Sequence, residues 1–188
     1  MAANNKTREV QFTLRDDDFK MFGRYRVLYT DQGHKLVRRQ RLTYLISAVA
    51  IAGLFTIFKV DSKFTILMYI IAAVLAIAGL FFAETMVLRQ QDKAIAMTEN
   101  SAERVHAAQN RIRFDETGFT TYAAGDEQHF EYKDVKLADF TEPAIYVWMS
   151  DTMIMPIPAH AFRNMSEMKE FNKWLRERIE ENGGNAKQ

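Results

Sequence analysis

The sequence predicts an α+β membrane protein: a two-helix transmembrane hairpin with a cytoplasmic small antiparallel β-barrel or meander closed by a C-terminal helix. Three patterns predict it. Residues 42–58 and 64–83 contain no Asp, Glu, Lys, Arg or His. From Asn110 the apolar residues recur with a period of two, which is the strand period. From Asn164 they recur with a period of 3.6, which is the helix period.

The two apolar runs decide the class. A bilayer core about 30 Å thick needs roughly 17–25 apolar helical residues, and both runs fall in that range. A soluble amphipathic helix would show a polar face. Here the polar groups are Thr43, Tyr44, Ser47, Thr56, Thr65 and Tyr69. The soluble alternative, a buried core hairpin, would need a much larger protein to cover it. The break between the runs, FKVDSKF, is too short for a domain and predicts a tight turn at a membrane surface. Ala48, Ala52 and Gly53 on the first run, and Ala72, Ala76 and Gly79 on the second, lie at spacings that form one small-residue stripe for helix pairing. The plainer alternative is that Ala and Gly are simply common in membrane helices.

Charge sets the orientation. Lys35, Arg38, Arg39 and Arg41, preceded by Lys20, Arg24 and Arg26, stand before the first run; Arg89 and Lys93 follow the second; the tip has Lys59 and Lys63. The positive-inside rule then predicts both termini in the cytoplasm. The collar Lys35, Arg38, Arg39 and Arg41 is also a candidate site for anionic lipid headgroups; the alternative is that it only sets topology. With no ionisable residue inside either run, transport by this chain alone is not expected.

Composition narrows the partners. The chain has 188 residues, with Lys plus Arg 25 against Asp plus Glu 24 and a formal net charge of +1. That balance argues against a nucleic-acid binder. The mean hydropathy of -0.25 averages over an apolar centre and charged flanks. Cysteine is absent, so a disulfide framework, a thiol nucleophile and a Cys zinc site are excluded. The opening MAANNKTREVQ has no apolar core, so no cleavable signal peptide is expected.

The organisation follows. Residues 1–41 form a cytoplasmic arm, with a short strand within EVQFTL and an amphipathic basic helix after RDDD. Asp16 or Asp17 is expected to cap that helix, and the acidic triplet to be solvated. Residues 42–83 are the hairpin, and 84–109 a helical connector rich in Ala, Gln, Glu and Arg. Residues 110–182 hold the strands RIRFD, GFTTYA, HFEYK, VKLADF, AIYVWM and TMIMPI, and a last helix. In that helix Asn164 and Glu167 suggest a capping box, with Met168, Phe171, Leu175 and Ile179 on one stripe. Residues 183–188 are a polar tail.

The segments FDETGFTTYAAGDEQHFEYKDV, IYVWMSDTMIMPIPAHAF and SEMKEFNKWLRERI, in this order behind two close spans, resemble the YcxB-like membrane proteins. The resemblance implies a C-terminal pleckstrin-homology-like (PH-like) domain and the bacterial inner (plasma) membrane, and it brings no known activity. Relatives tend to carry a basic pair, as in PKRAF, where this chain has Pro158-Ala159-His160-Ala161-Phe162. That departure implies a weakened lipid contact at this position.

Catalytic chemistry is not visible. His34, His106, His129 and His160 lack metal-ligand spacing, and no nucleophile elbow or phosphate loop occurs. No enzyme activity, cofactor or metal is expected. Tyr146 and Trp148 alternate on one strand and, with Met153 and Met155, are the candidate partner surface; covering of the barrel is the alternative for the two aromatics. Two functions remain open. The first is a membrane-tethered module whose barrel recognises a protein or a lipid. The second is an accessory subunit held in a larger complex by its hairpin. The expected partners are the lipid bilayer and a protein; nucleic acid is not expected, and a homo-oligomer is compatible with both readings.

Overall fold

A computed structural model describes residues 7–57, 62–106, 109–123 and 126–186. The expected tip around Val60 and the expected turn at Ala124 and Gly125 lie outside them. The chain divides into two units, Met1–Phe22 with Met97–Gln188, and Gly23–Ala96.

In the first unit the period-two segments pair as antiparallel strands. One sheet has the order β1 (Arg8–Thr13), β2 (Gln109–Phe114), β3 (Gly118–Ala123), β4 (Asp126–Glu131). The other has the order β5 (Leu137–Phe140), β6 (Ala144–Trp148), β7 (Ile154–Pro158). The N-terminal strand therefore belongs to the domain: Arg8 stands opposite Phe114, and Thr13 opposite Gln109. Alternate residues point inward, so Val10, Phe12, Ile112 and Phe114 are buried while Arg111 and Arg113 are exposed.

The β2–β3 turn is held by one carboxylate. Asp115 accepts hydrogen bonds from the N–H groups of Thr117 and Gly118, both at 2.9 Å, and from the Thr117 hydroxyl at 3.1 Å. Gly118 has no room for a side chain, because a Cβ there would lie 2.1 Å from the Phe130 carbonyl oxygen. Burial pushes the Asp115 carboxyl up, but these hydrogen bonds and nearby His129 leave it below its ordinary value.

The last helix, α4 (Met165–Glu181), begins as its sequence predicts. Asn164 Oδ1 accepts from the Glu167 N–H at 2.9 Å, and the Glu167 carboxylate reaches back to the Arg163 N–H at 2.8 Å. Met168, Phe171, Leu175 and Ile179 are buried against both sheets. Phe171 meets Phe114 edge-on at 5.1 Å between ring centres. Burying each such side chain contributes about 1.5–3 kcal/mol. Past Gly183, at φ 80°, the chain does not trail off as the expected polar tail. The Asn185 N–H donates to the Val135 carbonyl at 3.0 Å, and Ala186 is buried in the core.

Helix α1 (Asp16–Tyr29) starts in the first unit and ends in the second. The second unit is helical. Thr30 separates α1 from α2 (Asp31–Ile57): its hydroxyl donates to the Arg26 carbonyl at 2.6 Å and accepts from the Gly33 N–H at 3.0 Å. The basic collar and the first apolar run are thus one helix, so the boundary expected at residue 41 is not structural. Likewise α3 (Ser62–His106) contains both the second apolar run and most of the expected connector. Its second half carries no Gly or Pro to stop it. Val27 and Val37 pack on Ala83 and Val87 to form a small core. Tyr44 lies over Gly79, where a Cβ would meet the Tyr44 Cβ at 2.2 Å. Further along, the Thr56 and Tyr69 hydroxyls are 2.7 Å apart. Both helices are long and apolar enough to cross a membrane, and only 6% and 17% of their most apolar windows are buried.

Two measurements check this account. Asn164→Ala should cost about 1 kcal/mol, lowering the thermal midpoint by about 2–4 °C. Gly118→Ala should cost more, since the backbone of β4 must move. The second measurement is an acid titration. A carboxyl lowered by folding adds stability above its unfolded range, and that contribution is lost as pH falls through the folded value. Denaturant stability should therefore drop below about pH 4, and Asp115→Asn should flatten that drop.

Candidate functional site: an apolar cleft between the sheets

The half of the four-stranded sheet around Phe114 and Phe119 is filled by α4: Phe114 contacts Phe171, and it approaches Trp174 at 6.2 Å. The other half has no such plug among the described residues. There residues of both sheets line a cleft of about 270 Å³. Its apolar lining comes from Phe12, Phe130, Met149, Met153 and Met155.

Strand parity adds three polar groups. Thr121 pairs with Ile112, and Gln128 with Thr121, so both share the inward face of Ile112. Asn110 pairs with inward-facing Phe12. The inner face thus changes from Phe and Ile near α4 to Asn110, Thr121 and Gln128 at the open end, and all three line the cleft. Arg111 and Tyr122 fall at the opposite parity but also line the cleft, with the guanidinium 4.3 Å from the ring centre. An apolar wall with a few neutral hydrogen-bonding groups and one ring-stacked guanidinium suits a mostly apolar ligand.

A second cluster lies on the other face of β6. Asp18, in the first turn of α1, is 6% exposed. Its Oδ2 accepts from the Arg15 N–H at 2.7 Å and lies 2.8 Å from His160 Nε2. The acidic triplet is therefore not simply solvated: Asp18 is buried and closes the helix start. Phe22, one turn on, stacks on Tyr146 at 6.2 Å. Burial, with the carboxylates of Asp139 and Asp18 nearby, pushes the Tyr146 hydroxyl up to about 12.

The expected site residues divide accordingly. Met153 and Met155 line the cleft. Tyr146 is a correction: at 1% exposed under Phe22, it presents no ring to a partner. Trp148 is half-buried on the same strand. Lys35, Arg38, Arg39 and Arg41 are all exposed on α2. Ala48, Ala72 and Gly79 are buried, and Ala52, Gly53 and Ala76 are half-buried. A Cβ on Gly53 would meet nothing within 4 Å. His160, in the segment lacking the basic pair, is engaged by Asp18. Sequence reasoning missed Asn110, Thr121 and Gln128; their signal was a polar residue at each inward strand position.

The architecture defines a class: an α+β domain of two antiparallel sheets and a closing helix, on a chain with two helices apolar enough to cross a membrane. A family model described as YcxB-like protein matches residues 114–175, from the end of β2 into α4. That segment is similar to the YcxB-like family, in line with the resemblance. No curated protein matches the chain, and no solved structure does.

The Asp18–His160 contact gives a direct prediction. Asp18→Asn and His160→Ala should each speed amide hydrogen exchange in the first turn of α1, by an amount equivalent to about 1–3 kcal/mol. The double variant should add little to either single change, because the two side chains act as one pair. Additive effects would mean that Asp18 acts only through the Arg15 N–H.

Proposed function

We propose that the protein is a membrane-tethered binding module without catalytic activity. Helices α2 and α3 cross a bacterial inner membrane as a hairpin, with both termini in the cytoplasm. The YcxB-like domain is a PH-like barrel at the inner face, and it holds an apolar segment of a protein partner. The cleft between the sheets is the observation that carries this reading. An anionic headgroup would call for several cations; among the described lining residues the cation is Arg111, stacked on Tyr122, and the inward-facing polar groups are Asn110, Thr121 and Gln128. Methionines adapt their shape to an apolar side chain of a partner.

Strand pairing supports the hairpin. Backbone hydrogen bonds between β1 and β2 cannot form across a bilayer, so the chain that leaves after Thr13 returns at Gln109 to the same side. Two crossings satisfy this and one does not. The basic residues before the first apolar run and after the second agree with a cytoplasmic domain. The accessory-subunit reading rests on the exposed apolar faces of the helices, where Val49, Ile57 and Phe81 are 72%, 75% and 75% exposed.

Crosslinking in native membranes separates the two. Thr121→Trp fills the cleft from its half-buried open end. Under the module reading, a protein enriched by the unaltered chain should be lost with Thr121→Trp and retained with the outward-facing change Arg113→Gln. Identical neighbours for both variants would assign the contacts to the helices and establish the accessory role instead.

A further inference from the structure

The basic collar of α2 does not act as one surface. Consecutive helical residues point about 100° apart, and the collar divides accordingly. Arg38 and Arg41 line a cleft that also contains His34 and Glu84, so a carboxylate already stands beside them. Arg39 lines a different cavity, of about 610 Å³, with Arg26. Gln40, Thr43, Gln90 and Gln91 add amide and hydroxyl groups to this second cavity, and no Asp or Glu is among its described lining residues. Asp92, next to Gln91 in the chain, is held by Arg24 at 2.9 Å. Arg26 donates to Gln32 Oε1 at 3.4 Å, one of its contacts.

The cavity also has a definite level along the helices. Arg39 and Gln40 lie within one turn before the apolar run at 42–58, and Gln90 and Gln91 follow the run at 64–83 by about two turns. If α2 and α3 cross a bilayer, both walls stand just beyond the hydrocarbon, in the headgroup layer.

We propose that this cavity binds the phosphate-bearing headgroup of a single anionic phospholipid. Arg39 and Arg26 face the phosphodiester, and guanidinium groups pair with such oxygens through parallel N–H donors. The glutamine amides donate to the remaining oxygens. A polybasic surface would hold a diffuse film of anionic lipid, whereas this cavity holds one molecule in a fixed place. The proposal rests on the membrane reading of the helices, not on the domain cleft.

The test uses the full chain purified in detergent and titrated with phosphatidylglycerol or phosphatidylcholine, with bound lipid counted by native mass spectrometry. One phosphatidylglycerol should be retained in preference to phosphatidylcholine. Arg39→Gln should weaken that retention about five- to tenfold, Arg39→Lys by less, and Arg38→Gln should leave it close to unchanged. Competition with excess inorganic phosphate distinguishes the source: displacement of the lipid would mean a site for free phosphate and overturn the lipid assignment. Equal retention of both lipids, or equal losses for Arg38→Gln and Arg39→Gln, would also overturn it. Alkaline extraction of membranes tests the underlying reading separately. Release of the chain into the soluble fraction sinks both; a chain that stays embedded while Arg39→Gln binds lipid normally loses only the headgroup site.

Discussion

The pairing of β1 with β2 is the constraint on which the architecture depends. These strands are neighbours in one sheet, yet three helices separate them in sequence. Everything from Asp16 to His106 is an excursion that starts and ends at one sheet edge, because Thr13 and Gln109 face each other. An excursion of that kind needs an outward path and a return path. Helices α2 and α3 supply them, and the contacts of Tyr44 with Gly79 and of Thr56 with Tyr69 hold the two paths side by side. The pairing also makes the domain's integrity depend on residues before the helices. Val10 and Phe12 belong to the same core as Phe171 and Ile179, and Arg8 reaches α4 through Glu170 at 3.2 Å and the Trp174 ring at 5.0 Å. The family match begins only at Phe114, so the matched segment lacks a strand that this sheet requires.

The polar cluster around Asp18 holds the start of α1 on the domain. A buried carboxylate is costly unless its oxygens are engaged, and both partners of Asp18 are local to the junction: the Arg15 N–H that starts the helix, and His160 from the turn after β7. Phe22 on Tyr146 adds an apolar contact one turn further on. The helix is therefore held at its first two turns by one polar and one aromatic contact. His160 thus has a structural task in the segment where the resemblance pointed to lipid.

Periodicity was legible where it reflects burial along a single element. The strands, the capping of α4 by Asn164 and the stripe from Met168 to Ile179 could all be read from local pattern, because each inward position meets the same core. Boundaries drawn from hydropathy were not structural. A helix does not end where its side chains become charged, so α2 runs through the collar and α3 through the connector. Long-range partners were also illegible. Nothing near Glu9 announces that Arg113 lies opposite it, and nothing in the acidic triplet distinguishes buried Asp18 from its neighbours. The cleft was hidden for a related reason: Asn110, Thr121 and Gln128 each read as an ordinary polar strand residue. They share one face only after three strands are aligned.

That alignment also separates two recognition tasks that the sequence leaves merged, lipid and protein. A phosphate moved into the cleft would give up its hydration and meet neutral amides, methionine thioethers and a single guanidinium, Arg111, already stacked on Tyr122. The desolvation of an ion is repaid only by opposite charge or by several strong donors. Conversely, an apolar segment laid in the cavity beside Arg39 would strip water from two guanidinium groups and four glutamines without replacing their hydrogen bonds. Each site is therefore poor at the other's task. The chemistry favours charge recognition by the helical unit, at the level where the apolar runs end, and apolar recognition by the domain. A mutation in one site is then expected to leave the other's ligand in place, which is how two interactions can be carried independently by one short chain.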